Sequence, residues 1–212
     1  MDQKENRMRK IVVFTNLTVD GVMQAPGSPD EDPRGGFQYG GWGAPYAAMQ
    51  SSAAAESLSL ANIGPMLFGR RTYERFYSFW PRQTGSPFTE MLNNAQKYVA
   101  STTLKDPLPW VNSTLLKGDA AQALAELKAQ PGKDFMVMGS GELVQSLMKR
   151  NLVDLYVLLI HPLILGSGRR LFSDGGVYAT LRLIDAKTTG NGVVVATYQP
   201  AETAANKFSS AG

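Results

Sequence analysis

Cysteine is absent from all 212 residues. That excludes disulfide scaffolds, thiolate-ligated zinc and thiol nucleophiles. Histidine occurs once, as His161. A His-rich metal site is therefore excluded, no metal is expected, and any Ser-His-Asp arrangement would rest on that one residue. No apolar run reaches the ~18–20 residues needed to cross a bilayer. Residues 1–10 are polar, and no apolar segment of signal-peptide length follows. These absences lead us to expect a cytoplasmic protein with no membrane partner. Charge of one sign is also scarce: 21 Lys plus Arg face 18 Asp plus Glu, a net charge of +3. The longest basic cluster, Arg7, Arg9 and Lys10, makes too weak a field for a dedicated nucleic-acid binder.

What is present is a globular balance, with 43% hydrophobic and 18% charged residues. A chain of this length buries roughly 70% of its unfolded surface, enough for one sizeable core. Residues 9–199 read as one domain between flexible tails at 1–8 and 200–212. Residues 10–17 read as a buried strand, because IVVF is β-branched and aromatic. Residues 20–43 hold seven glycines and three prolines and read as a long loop, which its aromatics Phe37, Tyr39 and Trp42 mark as functional. A helix is expected over 46–61, then a short strand at 66–68 after the Gly64-Pro65 break, and helices over 71–77 and 88–95. Strands at 97–101 and 113–117 precede an amphipathic helix capped by Asp119. A strand at 135–138 leads through Gly139-Ser140-Gly141 into a helix over 142–150. Residues 153–160 are apolar on both faces and are expected near the sheet centre. Residues 181–188 and 193–199 flank Gly190-Asn191-Gly192, a hairpin signal. The alternation predicts an α/β fold: a mixed, mostly parallel sheet with helices on both faces and an antiparallel C-terminal hairpin.

Three strand ends carry anion-friendly chemistry. Gly139-Ser140-Gly141 feeds a strand straight into a helix, whose first N–H groups lack intrahelical partners. The same segment also suits a plain tight turn, and it is not G-x-G-x-x-G, because position 144 is Val. Gly69-Arg70-Arg71-Thr72 puts two arginines at a helix start, where the dipole disfavours them unless an anion compensates. Solvation or pairing with nearby acids is the plainer alternative. Ser101-Thr102-Thr103 offers small hydroxyls at a third strand end. Together these ends suggest one extended phosphate-bearing ligand across the C-terminal edge of a sheet.

The segments RKIVVFTNLTVDGVMQ (9–24), LFGRRTYERF (67–76), YVAST (98–102), FMVMGSGELVQSL (135–147) and LLIHPLILGSGRRLF (158–172) give the chain a resemblance to a known family. It resembles the dihydrofolate reductase-like superfamily, in the branch of the riboflavin-biosynthesis reductase domain and its stand-alone relatives. The resemblance implies a three-layer α/β/α fold with about eight strands, NADPH as cofactor, a small-molecule substrate and a homodimer. It implies that Gly69, Arg70, Arg71 and Thr72 hold the 2′-phosphate and pyrophosphate side of NADPH. Ser101 and Thr102 would lie by the adenosine, and Gly139, Ser140, Gly141, Glu142 and Leu143 would cradle the pyrophosphate. Asn16, Asp20, Gly21 and Val22 would line the nicotinamide end, with Gly166 and Gly168 beside the substrate. Trp42 and Tyr46 sit where the family's substrate loop lies, and either stack on a planar ring or cover the core.

The chain departs from dihydrofolate reductase proper at its pterin-binding carboxylate. The matching position falls near Ala53. Glu56, about one turn away, either reaches the substrate or is a solvated helix acid. Little dihydrofolate reduction is therefore expected. Arg169-Arg170 would suit a substrate phosphate, as in reduction of a phosphoribosylamino-pyrimidine. His161, before Pro162, reads as a neutral imidazole bonded to backbone rather than a catalytic group. No side chain stands out as an obligatory acid. The expectation is an NADPH-dependent oxidoreductase acting on a small heterocyclic or sugar-derived substrate. The alternative is a non-catalytic nucleotide-binding or assembly protein on the same fold.

Overall fold

A computed structural model describes residues 8–47, 63–85, 87–172 and 174–201. Eight strands form one sheet: β1 (Ile11–Thr18), β2 (Ile63–Gly69), β3 (Lys97–Ala100), β4 (Ser113–Leu116), β5 (Asp134–Met138), β6 (Leu155–His161), β7 (Leu181–Thr188) and β8 (Val194–Pro200), in the order β4-β3-β2-β5-β1-β6-β8-β7. Pairs from β4 through β6 are parallel, and β6–β8 and β8–β7 are antiparallel. Parallel strands need crossovers, and the helices between them supply these.

Side chains alternate across each strand, so every inner strand feeds two cores. Ile11 and Val13 of β1, with Phe135 and Val137 of β5, meet the helices α3 (Ala120–Lys128) and α4 (Gly141–Lys149) through Leu124, Val144 and Leu147. Val12, Met66, Phe68 and Met136 face the other way, onto α1 (Arg70–Phe79) and α2 (Pro87–Asn94) through Tyr73 and Leu92. This is the three-layer arrangement expected. Burial of Val157 and Leu159 in one core, and Tyr156 and Leu158 in the other, explains the continuous apolar run of β6. Strand β6 nevertheless lies one place outside the central β5–β1 pair, because β1 is the strand that both halves flank.

Several boundaries differ from expectation. Strand β2 begins at Ile63, so Gly64-Pro65 lies inside it. The pairing with β5 shifts register between Ile63 and Met66, where proline has no N–H to give. Glycine is needed there because a Cβ at Gly64 would stand 2.5 Å from Lys133 Cβ. Met8, placed in the tail by composition, bridges to Pro131, and Ala201 N–H donates to Thr180 O. The helix expected over 46–61, with Ala53 and Glu56, falls almost wholly on residues 48–62, outside the described residues. Ala44–Tyr46 is a short 3-10 turn.

The loop over 20–43 is ordered around one side chain. Buried Gln24 donates to Asp32 O and Arg34 O and accepts from Arg169 N, while Trp42 Nε1 donates to Gln24 O. Among the described residues no helix is long and apolar enough to cross a membrane.

Candidate functional site

Because β1 through β6 run parallel, their C-terminal ends open on one edge. A cleft of about 940 Å³ lies there, lined by residues 14–16 of β1, by Gly69–Thr72, Ser101–Thr103 and Gly139–Leu143, and by part of the 23–34 loop. The three strand ends singled out in the sequence are thus brought together. Strand β2 passes directly into α1, and β5 into α4, with no side-chain cap on either helix. The two turns are joined: Gly69 N–H donates to Ser140 Oγ at 2.9 Å. Gly139 and Ser140 are both left-handed (φ 61° and 58°), which turns the chain sharply into α4. A Cβ at Gly139 would contact the Thr72 methyl at 3.5 Å, and one at Gly141 would press on Met23 Sδ at 2.8 Å. Two helix N-termini therefore face the cleft without a side-chain cap on their first N–H groups, a setting for anions. The N-terminus of α3 also reaches the cleft, but Asp119 already occupies it, accepting from Ala121 N and Gln122 N.

Four of the arginines around this edge are held by acids. Arg70 Nη1 lies 3.4 Å from Glu74 Oε1 on its own helix. Arg71 reaches across to Glu142 Oε1 at 3.8 Å, and Arg169 meets the same oxygen at 3.4 Å. Arg34 pairs with Asp32, which raises the guanidinium pKa above its ordinary value. Ser101 lines the cleft but spends its Oγ on its own turn, accepting from Thr103 N and Leu104 N.

Residues 9–195 match the RibD C-terminal domain family model. The chain belongs to the RibD C-terminal domain family. An uncharacterized protein of Bacillus subtilis, YyaP, is 28% identical over 146 residues, which is 66% of this chain and 75% of that protein. A putative riboflavin biosynthesis protein from Shewanella sp. PV-4 superposes with a TM-score of 0.63 at 20% identity, over 91% of this chain and 99% of that one. Dihydrofolate reductase from Enterococcus faecalis, solved with NADP(H) and RAB-propyl, gives 0.53 at 11% identity, over 91% and 97% of the two chains. At these identities the likeness is one of fold, an oxidoreductase fold of the dihydrofolate reductase type.

On this RibD C-terminal domain, Asn16 lines the cleft, but the rest of its expected group does not. Asp20 accepts from Thr18 Oγ1 at 2.6 Å and from the backbone of Leu165 and Gly166, and pairs with Arg170. The Thr18 hydroxyl, aided by those N–H groups, holds its carboxyl below the usual range against the effect of burial. Gly21 (φ 79°) makes the turn from Thr18 to Val22, and Val22 is fully buried with Phe37 and Trp42. Gly166 donates its N–H to Asp20, and a Cβ at Gly168 would lie 2.7 Å from both Phe37 and Val22. Asp20, Gly21, Val22, Gly166 and Gly168 thus form a clasp between two loops, outside the cleft lining. Gly21 and Gly166 make left-handed turns (φ 79° and 73°), and Gly168 packs against Phe37 and Val22.

Trp42 and Tyr46 do not line the cleft either. Each ring stands edge-on to His161, with centroids 5.0 Å apart. His161 is fully buried, and burial lowers its pKa to about 4. Its Nε2 lies 3.0 Å from Asn16 Oδ1, so its partner is a side chain and not the expected backbone group.

Sequence reasoning missed Gln24 and Arg34 of the loop, tied to each other and, through Arg169 N–H, to a distant segment, and Arg75 of α1, which donates to Ser28 Oγ. It also read Gly118–Asp119 only as a cap. The repeated strand-to-helix alternation was the signal that placed this third helix start on the same edge. Among the described residues no cluster of His, Asp or Glu is arranged to hold a metal.

Proposed function

We propose that this protein is an NADPH-dependent reductase of a small heterocyclic or sugar-derived substrate. The observation that carries the reading is the pair of open helix N-termini, α1 and α4, tied by the Gly69–Ser140 bond with Arg70 and Arg71 beside them. The cofactor fits this cradle: the backbone is bare at Gly69, Gly139 and Gly141, and N–H donors suit a pyrophosphate. Bound NADPH would supply the hydride. Arg70 or Arg71 would exchange its carboxylate for the 2′-phosphate, whose geometry a guanidinium fork matches. Gly139–Leu143 would hold the pyrophosphate, and Ser101 and Thr102 would border the adenosine. Asn16 would face the nicotinamide end, and Arg169 and Arg170 would take a substrate phosphate.

Titration calorimetry with NADPH and NADH tests this. Wild type should prefer NADPH. Replacing the phosphate-bound arginine with Ala, with Arg70 expected first from its match to the family motif, should cost ~1.5–3 kcal/mol, about 10–100-fold in NADPH affinity. NADH binding should change much less. Equal wild-type affinities, or parallel loss of both, would refute the phosphate assignment. Dihydrofolate should be turned over poorly, because Ala stands at position 53.

A nucleotide-binding protein without turnover is the second reading. It is favoured by the partners of the cleft's acids. Glu31, Asp32, Glu74, Asp119 and Glu142 are each engaged by an N–H group or an arginine, which leaves no evident proton donor among them. NADPH binding without oxidation across a panel of heterocyclic and carbonyl substrates would select it.

A further inference from the structure

Asn16 and His161 make a buried contact that the family resemblance does not account for. The amide of Asn16 has two unlike ends, and its direction decides whether the cleft meets a donor or an acceptor. Strand β1 pairs Phe14 with Met138, so Asn16, two residues on, stands beside the turn into α4. Its Oδ1 faces His161 Nε2 at 3.0 Å, and its Nδ2 is not buried and has no hydrogen-bond partner among the described residues. His161 Nδ1 is buried with no partner among the described residues. A neutral imidazole carries one N–H, and an orphaned buried donor is rarer and costlier than an orphaned acceptor. The hydrogen therefore belongs on Nε2, the nitrogen that has a partner. Trp42 and Tyr46 stand perpendicular to the imidazole, and Trp42 is itself pinned by its bond to Gln24 O, so the ring is held against rotation.

We propose that His161 is a positioning residue: it donates from Nε2 to Asn16 Oδ1 and thereby turns the two N–H donors of Asn16 into the cleft, so that the ring seated there presents a carbonyl oxygen. The second half rests on the cofactor-and-substrate reading of the cleft; the first half does not. The carbonyl belongs either to the cofactor's carboxamide or to a substrate ring.

Because the chain has one histidine, isotope-labelled histidine gives one imidazole spin system by nitrogen NMR. A bare Nδ1 and protonated Nε2 at neutral pH are expected. The reverse tautomer, or an imidazolium, overturns the proposal. Binding is then measured for NADPH, for 2′-phospho-ADP-ribose (the dinucleotide without its nicotinamide ring) and for 5,6-diaminouracil on NADPH-saturated protein. Asn16→Asp and His161→Leu should weaken one carbonyl ligand by about 5–10-fold, and His161→Gln, which keeps a donor, should restore it to within about twofold. A cofactor carbonyl shows as loss for NADPH but not 2′-phospho-ADP-ribose; a substrate carbonyl shows as loss for the diaminouracil alone. No loss for any probe, or equal loss for all three, overturns the proposal. If His161→Leu does not fold, Asn16→Asp and the tautomer decide. Wild type that binds no NADPH defeats the reading of the cleft and leaves the tautomer to decide the lock.

Discussion

His161 sets a pH limit on the fold. Burial lowers its pKa to about 4, against 6.5 when unfolded. Above pH 6.5 both states hold it neutral. Between 6.5 and about 4 the unfolded chain takes up a proton that the folded chain refuses. Stability therefore falls as pH drops through that window, by roughly 3 kcal/mol at its lower end. Urea midpoints at pH 7 and 4.5 should show a smaller acid loss in His161→Gln than in wild type. An equal loss in both would place the acid sensitivity elsewhere. Lys97 is a residue no pattern foretold: it is fully buried, with Nζ donating to the carbonyls of Asn93, Ala95 and Val111 over the Trp110 ring. A lysine at a strand start reads as exposed, and only the fold supplies three acceptors for it.

At the scale of the element, the β5–α4 turn carries the site. Gly139 is left-handed (φ 61°), while its Cβ position has room, 3.5 Å from the Thr72 methyl of α1. Gly139→Ala should cost ~1–2 kcal/mol in stability, because an L side chain disfavours this backbone region. It should also weaken NADPH binding, since α4's first N–H groups would be re-aimed. Thermal melts with and without cofactor check both parts; unchanged binding would detach this turn from the pyrophosphate. The equivalent turn into α3 behaves differently although its sequence also opens with glycine. There Asp119 supplies its own cap, so that helix start is already satisfied.

Across the whole molecule, the sheet brings segments far apart in sequence to one edge. A ligand bound there joins β1, β2, β3 and β5 and should resist global unfolding. NADPH at about 100 times its dissociation constant should add ~2.7 kcal/mol and raise the melting midpoint by roughly 5–10 °C. No shift in differential scanning calorimetry would count against a cofactor spanning those strands. The other end of the sheet has different properties. Edge strand β7 is mostly exposed, with Leu183 and Ile184 exposed where its register against β8 shifts, and Tyr178 exposed nearby in sequence. Exposed apolar side chains favour association, and together with the family resemblance they lead us to propose a homodimer. Light scattering at micromolar concentration decides, and a monomer would remove that expectation.

The layers are legible in the local pattern of residues. β-Branched and continuous apolar runs marked the strands, Gly190-Asn191-Gly192 marked the hairpin, and Asp119 marked a helix start, because each is a local choice made within a few residues. The three strand ends that form the cleft were legible too, two by a glycine between strand and helix and the third by its run of small hydroxyls, all local signals. Tertiary structure alone decided which marked residues the cleft keeps. Asp20, Val22 and Gly168 read like site residues and became a clasp, because their partners, Leu165, Gly166 and Phe37, arrive from other loops. Trp42 and Tyr46 read like a stacking surface and became the walls around His161. Arg34 and Gln24 read like ordinary loop residues and came to lie over the cleft. Arg34 is aimed locally, by Asp32 two residues away. For the others a hydrogen bond or packing contact across a long stretch of chain fixes the side chain's direction, and nothing in the local pattern encodes such a contact.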